Sequence, residues 1–491
     1  MCFRIFLLGT LIVTCSSLGL SQCLTDFTKL LPESSVDSSS DFGRSVSLYG
    51  DYAAIGLPLS DSLGRGVGLV YIYQRLANET KRIAIKAPQS PADGLQFGQT
   101  VKMSQNYLLV TSAGFGGQVH VFKKSAGGWD SGTEITTLSH PGTTLFGVAY
   151  GYDPIAISED EQTFAINDAF YRYADKPERT GAIFIYHRSV NEEWSSNVIP
   201  TLLESPEDYA IDIGRSGVAI SQNRILAGTP TAPTATGAIY VFKDTGPGNF
   251  ENMILEARLE AGPEAVSMGL SNFAVTDKGL FTKIGRNVGG QGMVQIGFFP
   301  KQLGGGWVSG GPACFFDQDN APSTSVRTQL FPMATDGNNL YSTSLDSSNN
   351  FKVFQIRPGT DGSFCNPDFE LIDSIVVDQS EAGFLLGRIL VANQFGTIMT
   401  GFMPDPNNGS RYMAFKTYSK SISNWEPSVI SNTRRSTGGH FFGRTVFGLK
   451  DFLFVGAPFD ATVRTDAGAV YTYQKQSNGW ERTGKLLAPI N

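Results

Sequence analysis

Residues 442–458 read Phe442-Gly-Arg-Thr-Val-Phe-Gly-Leu-Lys-Asp-Phe-Leu-Phe-Val-Gly-Ala-Pro458, and after a polar loop residues 468–474 read Gly468-Ala-Val-Tyr-Thr-Tyr-Gln474. Two apolar runs are joined by the short polar turn at Lys450 and Asp451, and a third run alternates. Trp480 and Lys485-Leu-Leu-Ala then read as a fourth run. Strand-length apolar runs bounded by glycine and turn residues predict four antiparallel strands in sequence order.

The same order recurs through the chain. The first copy is Phe42-Gly-Arg-Ser-Val with Ala54-Ile-Gly-Leu-Pro and Gly68-Leu-Val-Tyr-Ile-Tyr, and the second runs from Phe97-Gly to Gly117-Gln-Val-His-Val-Phe. The third runs from Phe146-Gly to Gly181-Ala-Ile-Phe-Ile-Tyr, and the fourth from Ile213-Gly to Gly237-Ala-Ile-Tyr-Val-Phe. The fifth (Met268-Gly, Gly292-Met-Val-Gln-Ile-Gly), the sixth (Leu330-Phe-Pro-Met, Phe351-Lys-Val-Phe) and the seventh (Leu386-Gly-Arg, Arg411-Tyr-Met-Ala-Phe-Lys) are worn. An aromatic stands before the expected outer strand of the second to eighth copies, at Trp129, Trp194, Phe250, Trp307, Phe364, Trp425 and Trp480, in steps of 65, 56, 57, 57, 61 and 55 residues. A four-stranded meander cannot bury both faces alone, so repetition of this kind predicts stacking of neighbours around an axis. The fold class expected is all-β, a β-propeller of four-stranded blades with eight repeats counted, seven blades being the alternative. The aromatics are expected to pack between blades. Phe27-Thr-Lys-Leu-Leu-Pro resembles Thr483-Gly-Lys-Leu-Leu-Ala-Pro, so one chain end is expected to complete the sheet built by the other, with either end able to take the place.

The Phe-Gly, Gly-Ala-Pro and Gly-Ala-Val-Tyr order resembles the FG-GAP repeat, found in the head of integrin α subunits and in many secreted proteins. The resemblance covers residues 27–490. It implies a β-propeller, usually of seven blades, and a role in extracellular binding or cell adhesion. It also implies calcium where a loop of the Asp-x-Asp/Asn-x-Asp-Gly type joins the first two strands, because a hard cation needs several oxygen ligands. The turns here, at Gly50-Asp51, Gln105-Asn106, Gln222-Asn223, Asp277-Lys278 and Lys450-Asp451, carry at most one carboxylate each. Ser158-Glu-Asp-Glu and Thr335-Asp-Gly-Asn-Asn come nearest. No metal site and no cofactor are therefore expected.

The N-terminus places one cation, Arg4, before an apolar run from Ile5 to Leu20 and small residues at Gly19 and Ser21. That pattern reads as a secretory signal, residues 1–21, followed by a single propeller over 22–491. No later run is long and apolar enough to suggest membrane insertion. With 17 % charged residues, a net charge of −7 and no basic run beyond Arg434-Arg435, nucleic acid is excluded as the expected partner class. The 55 glycines and 34 phenylalanines suit many short strands and tight turns. Cys23, Cys314 and Cys365 remain after the signal, and an oxidising compartment favours one disulfide. Cys314 and Cys365 lie about one repeat apart, although the sequence leaves all three pairings, and free buried thiols, open. Asn78-Glu-Thr and Asn408-Gly-Ser are glycosylation acceptors.

No nucleophile elbow, metalloprotease helix or phosphate loop occurs, and His120, His140, His187 and His440 are scattered. No catalytic residue is assigned. Carboxylates at Glu159-Asp160-Glu161 and at Asp168 with Asp175 leave a secreted hydrolase as one alternative, and a self-associating matrix protein as another. The primary expectation is binding of an extracellular protein or glycan. Its candidate surface is Phe170, Tyr171, Arg172 and Tyr173 in the long third-repeat loop, since aromatic residues and arginine dominate interface hot spots.

Overall fold

Short apolar runs separated by tight turns pair with the runs that follow them, so chain order becomes sheet order. The computed structural model describes residues 42–487 except 43, 50–51, 76–79, 115–116, 141–154, 170, 174–179, 208–210, 231–235, 263, 269–272, 317–332, 336–337, 346–350, 376–389, 394–395, 405–410, 421–424, 432–444, 450–451, 458–459, 461–467 and 477–478. Among the described residues there is no helix, and 33 strands form eight antiparallel sheets. The sheets span 46–86, 97–139, 155–204, 218–260, 265–316, 334–375, 390–431 and 445–487. Each is a meander; in the first, Val46–Tyr49, Tyr52–Leu57, Leu69–Arg75 and Thr80–Lys86 pair in that order. The fifth departs from four strands by one short extra strand, Ala274–Val275.

Successive sheets bury their faces against each other. Phe97, Leu108 and Val110 of the second interleave with Ala54, Val70 and Ile72 of the first. Leu109 and Val121 of the second meet Phe164 and Ile166 of the third, and Ile183 and Ile185 of the third meet Ile225 and Tyr240 of the fourth. Leu226 and Ile239 of the fourth meet Leu280 and Ile284 of the fifth, and Phe281 and Phe298 of the fifth meet Leu340 and Phe354 of the sixth. Phe454, Val470 and Leu486 of the eighth join Phe42, Ile55 and Tyr71 of the first, which returns the succession to its start. The first strand of the first sheet lies against the first strands of both the second and the eighth. This is the arrangement of a β-propeller, in which apolar runs are continuous because both faces are covered.

The Phe-Gly and Gly-Ala elements act as a latch between sheets. Phe97 of the second sheet bridges Gly68, which opens the third strand of the first, and its N–H donates to Val67 O at 2.8 Å. Phe42 bridges Gly468 of the eighth sheet in the same way. Gly68 has φ +85°, and a Cβ there would stand 2.2 Å from Phe97 O, so neither the backbone nor the space admits a side chain. The glycine of Gly-Leu-Pro, Gly56, lies where Gly98 O passes; a Cβ would be 2.1 Å away.

Trp129, Trp194, Phe250, Trp307 and Phe364 are all buried, each in the cluster its sheet shares with the preceding one. Trp129, Trp425 and Trp480 begin the outer strands Gly128–Ser139, Trp425–Ser431 and Gly479–Leu487 rather than preceding them. Gly479–Leu487 is the fourth strand of the eighth sheet, so the C-terminal run holds the position for which the two chain ends compete. The N-terminal run 27–32 lies outside the described residues. Cys314, in the outer strand of the fifth sheet, is bonded to Cys365, just before the outer strand of the sixth, with S–S 2.02 Å.

Candidate functional site

The strand Thr163–Asp168 carries a different candidate at each end. At six residues it separates them by about 20 Å.

At its C-terminal end Asp168 is fully buried, with Oδ2 3.1 Å from His140 Nε2. The His140 ring packs on Phe184 at 4.8 Å. Asp168 is thus committed to the His140 ring inside the fold and is not a solvent-facing acid; Asp175 lies outside the described residues. The loop that follows contains the sequence-predicted contact residues. Phe170 lies outside the described residues. Tyr171 is half-buried and stands edge-on to Tyr173 at 4.8 Å and to Phe184 at 5.5 Å. Tyr173 is buried in the cluster between the second and third sheets, and burial raises its hydroxyl pKa above the ordinary tyrosine range. Arg172 is exposed. The two tyrosines therefore form a packed base, and the arginine is the described member that faces solvent.

One set with the form of an acyl-transfer triad exists in the second sheet. Ser112 Oγ is 3.2 Å from His120 Nε2, and His120 Nδ1 is 3.0 Å from Glu134 Oε1. Glu134 also accepts from Gln89 N at 2.9 Å and from Thr137 Oγ1. Ser112 is 0 % exposed and the Phe97 ring covers His120 at 4.9 Å. No nucleophilic attack is possible on a substrate that has no room beside the oxygen. The register explains the set differently. His120 lies three residues after Gly117, and the same offset gives Tyr71 after Gly68, Phe184 after Gly181, Tyr240 after Gly237 and Tyr471 after Gly468. Tyr240 Oη donates to Glu207 at 2.9 Å, and Tyr471 Oη donates to Asp460, which Lys485 Nζ also contacts at 2.9 Å. A buried ring whose polar tip meets a carboxylate is thus a recurrent packing device, and His120 occupies its place. The offset from the third-strand glycine was readable in the sequence; the contact with Glu134 was not, because a register shift between Val121 and Phe122 sets it.

At the other end of Thr163–Asp168, the turn at Ser158–Thr163 is closed upon itself. Asp160 accepts from Ser158 Oγ at 2.6 Å and from Gln162 N at 3.0 Å. Glu161 reaches across to the second sheet and accepts from Asn106 N at 2.8 Å and from Asn106 Nδ2 at 2.7 Å. These carboxylates are spent on turn and inter-sheet bonds. Beside them lies an open groove of about 440 Å³, within the size range of small-ligand sites. Its floor includes Tyr107, whose hydroxyl donates to Glu193 at 2.7 Å, and Arg188, whose guanidinium lies 5.2 Å from the Tyr107 ring and 5.7 Å from that of Trp194. Lys123 pairs with Glu193. Burial pushes the Glu193 carboxyl up, but bonds from Lys123, Tyr107 and Trp194 N outweigh it and leave the pKa below the usual value. Asn106, Val190, Asn191 and Glu192 form the exposed rim. The sequence reading missed this groove, since its members come from hairpins 55 or more residues apart that meet only at the inter-sheet contact.

The acceptors Asn78 and Asn408, and His440, lie outside the described residues. Among the described residues no three His, Cys, Asp or Glu side chains stand together as a metal set.

Residues 25–73 match the family model of the FG-GAP repeat. No curated protein matches the chain. A 6-phosphogluconolactonase candidate from Bacteroides uniformis is similar in structure at 12 % identity and TM-score 0.37, with 78 % of this chain and 98 % of that one covered. A mutant puromycin hydrolase is similar at 11 % identity and TM-score 0.42, with 86 % of this chain and 59 % of that one covered. The tricorn protease is similar at 11 % identity and TM-score 0.24, and the chain spans 44 % of its length. Likenesses this distant carry no information about activity.

Proposed function

We propose that this chain, whose first repeat is of the FG-GAP type, is a secreted propeller that binds an extracellular protein or glycan. In this reading residues 1–21 are removed as a signal, each of the eight sheets is one blade, and Gly479–Leu487 closes the ring of the single domain 22–491. The observation that favours binding over hydrolysis is the sealed Ser112–His120–Glu134 set: the residues with catalytic form have no access, while the exposed polar groups stand on loops. Arg172, raised on the packed Tyr171 and Tyr173, supports a contact surface at the loop end of the third sheet, because arginine on a rigid aromatic base is the composition of a hot spot. Asn78 and Asn408 would carry glycans on the secreted form.

The test is capture of extracellular proteins and glycans by the chain 22–491, with calcium and with chelator. Saturable binding unaffected by chelator is expected, weakened by Arg172→Ala by about 2 kcal/mol, or some thirty-fold. Folded protein that binds nothing, or that turns over ester or amide substrates and loses that turnover in Ser112→Ala, would overturn the reading.

A further inference from the structure

We propose that the outer place of the eighth sheet serves two strands of the same chain. Residues 27–31 exchange there with the C-terminal run Gly479–Leu487, which gives the protein two closed forms. This exchange goes beyond the binding reading and does not depend on it.

The place is defined by what it holds. Gly479–Leu487 pairs with Ala469–Gln476, and Lys485 faces Tyr471. Lys485 Nζ reaches both carboxylate oxygens of the buried Asp460 at 2.9 Å and lies 4.6 Å from the Tyr471 ring centre. Leu486 is 0 % exposed, in the cluster with Phe42, Phe454 and Val470. Leu487 is buried as well, and strand alternation sends it to the opposite face. A strand that fits here must offer a cation followed by two apolar residues. Lys29-Leu30-Leu31 offers them in that order.

Spacing along the chain is a second, independent sign. In the first sheet Ile85 of the outer strand faces Tyr71, and Phe97, which bridges Gly68, follows twelve residues later. In the third, Leu202 faces Phe184, and Ile213, packed on Gly181, follows eleven later. In the fourth, Arg258 faces Tyr240, and Met268, packed on Gly237, follows ten later. Lys29 stands thirteen residues before Phe42, and Phe42 bridges Gly468 of the eighth sheet. Residues 27–31 are thus placed in the chain as an outer strand leading to the first Phe-Gly, and the sheet beside that Phe-Gly is the eighth.

Each run has one advantage in the place. A register shift between Thr472 and Tyr473 makes Thr483 the extra residue of a bulge. The matching residues of the first, second and sixth sheets are Ile83, Ile135 and Ile372, all at least partly buried. Phe27 brings an apolar side chain to this position and Thr483 does not. Against that, Thr28 falls where Gly484 stands, and a Cβ there would be 2.8 Å from Thr472 Oγ1. Opposed terms of this kind leave a small difference, the condition under which two forms coexist. In the second form Lys29 takes the Asp460 carboxylate, and Lys485, Leu486 and Leu487 are released.

The test uses the full chain in four forms: wild type, Leu30→Asp/Leu31→Asp, Leu486→Asp/Leu487→Asp, and all four substitutions together. Aspartate cannot enter the leucine sites without burying an unpaired charge, so each pair disables one run. Amide hydrogen exchange is followed. With residues 30 and 31 replaced, the amides of Gly479–Leu487 should exchange about ten-fold more slowly than in the wild type, because their competitor is gone. With residues 486 and 487 replaced, Ala469–Gln476 should keep its protection; with all four replaced, it should exchange about a hundred-fold faster. Exchange over Gly479–Leu487 that Leu30→Asp/Leu31→Asp leaves unchanged would overturn the inference. So would a Leu486→Asp/Leu487→Asp protein as damaged as the fourfold one. Association of wild-type copies that is lost in Leu30→Asp/Leu31→Asp would put residues 27–31 on a second copy and overturn exchange within one chain.

Discussion

In the fourth sheet the second strand, Arg224–Thr229, is separated in sequence from the third, which enters at Gly237, whose Cβ would stand 2.0 Å from Met268 O of the fifth sheet. In the fifth sheet the corresponding strands, Gly279–Val288 and Gln291–Pro300, run into each other through Gly289 and Gly290, both with positive φ as a two-residue hairpin turn demands. A second difference follows at the inter-sheet face. Counted four residues on from the hairpin, Gly56 and Gly228 occupy the place that Lys283 takes in the fifth sheet. At Gly56 the next sheet's backbone comes close, and at Gly228 the Phe273 ring does. Where Lys283 stands, its Nζ crosses to donate to Thr343 O of the sixth sheet at 2.6 Å. Thr282, Ser342, Thr343 and Gln355 are also buried there, and the Cys314–Cys365 bond joins the same two sheets. The repeat motif is thus a description of the latch. Between the fifth and sixth sheets a covalent bond and a polar seam take part in holding the neighbours, and the sequence signature is worn accordingly.

Removing the disulfide should have the largest effect on the seam between the fifth and sixth sheets. Closing a loop of 51 residues lowers the entropy of the unfolded chain enough to contribute about 4 kcal/mol. Cys314→Ser with Cys365→Ser should lower the unfolding midpoint in urea by a matching amount, and reductant should do the same to the wild type and nothing to the variant. If the latch geometry repeated between these sheets as it does between the first and second, the loss would be small. Next in size is Gly56→Ala. Its Cβ would meet Gly98 O at 2.1 Å, backbone against backbone, and overpacking of that kind costs about 3 kcal/mol. Chemical unfolding that shows a cost below about 1 kcal/mol would mean that the first two sheets are not locked as described.

The smallest effect, and of opposite sign, is Lys283→Met. Burial drives the Lys283 pKa well below that of a free lysine. The unfolded chain therefore binds a proton that the folded chain does not, and wild-type stability should rise with pH from the depressed folded value up to the ordinary lysine range near 10.5. Below the depressed value both states are protonated and the full cost of burying the charge is present. Replacing the amine by a thioether should stabilise by about 1 kcal/mol at neutral pH and flatten that slope. A variant that is less stable, with the slope unchanged, would show Lys283 to be a well-compensated bridge.

Most strands were legible because their signals are local. Phe452-Leu-Phe-Val, Gly468-Ala-Val-Tyr and their copies carry apolar runs and turn residues within a few positions of each other, and such signals survive without tertiary context. The fifth sheet is the less legible, because Gly289-Gly290 makes a hairpin where the first copy has the longer connection 58–68, and nothing at Lys283 announces a core position. Of the contact residues singled out, Tyr171 and Tyr173 have the composition of an interface yet pack inward, and Arg172 alone of the described three is exposed. A loop sequence states which residues are amphipathic, and the neighbouring sheet states which way they are used.

By itself the sequence determined that this protein is built of repeated antiparallel meanders, that glycine must open most third strands and that an aromatic must mark most outer ones. These follow from strand periodicity, backbone sterics and repetition, which act over a few residues. Only the tertiary structure decided that the C-terminal run takes the disputed outer place, that Cys314 meets Cys365, that Ser112, His120 and Glu134 are sealed, and that Tyr107, Lys123 and Glu193 meet at an open groove. Each of those depends on the separation of groups that are distant along the chain, a quantity that exists only once the sheets have packed.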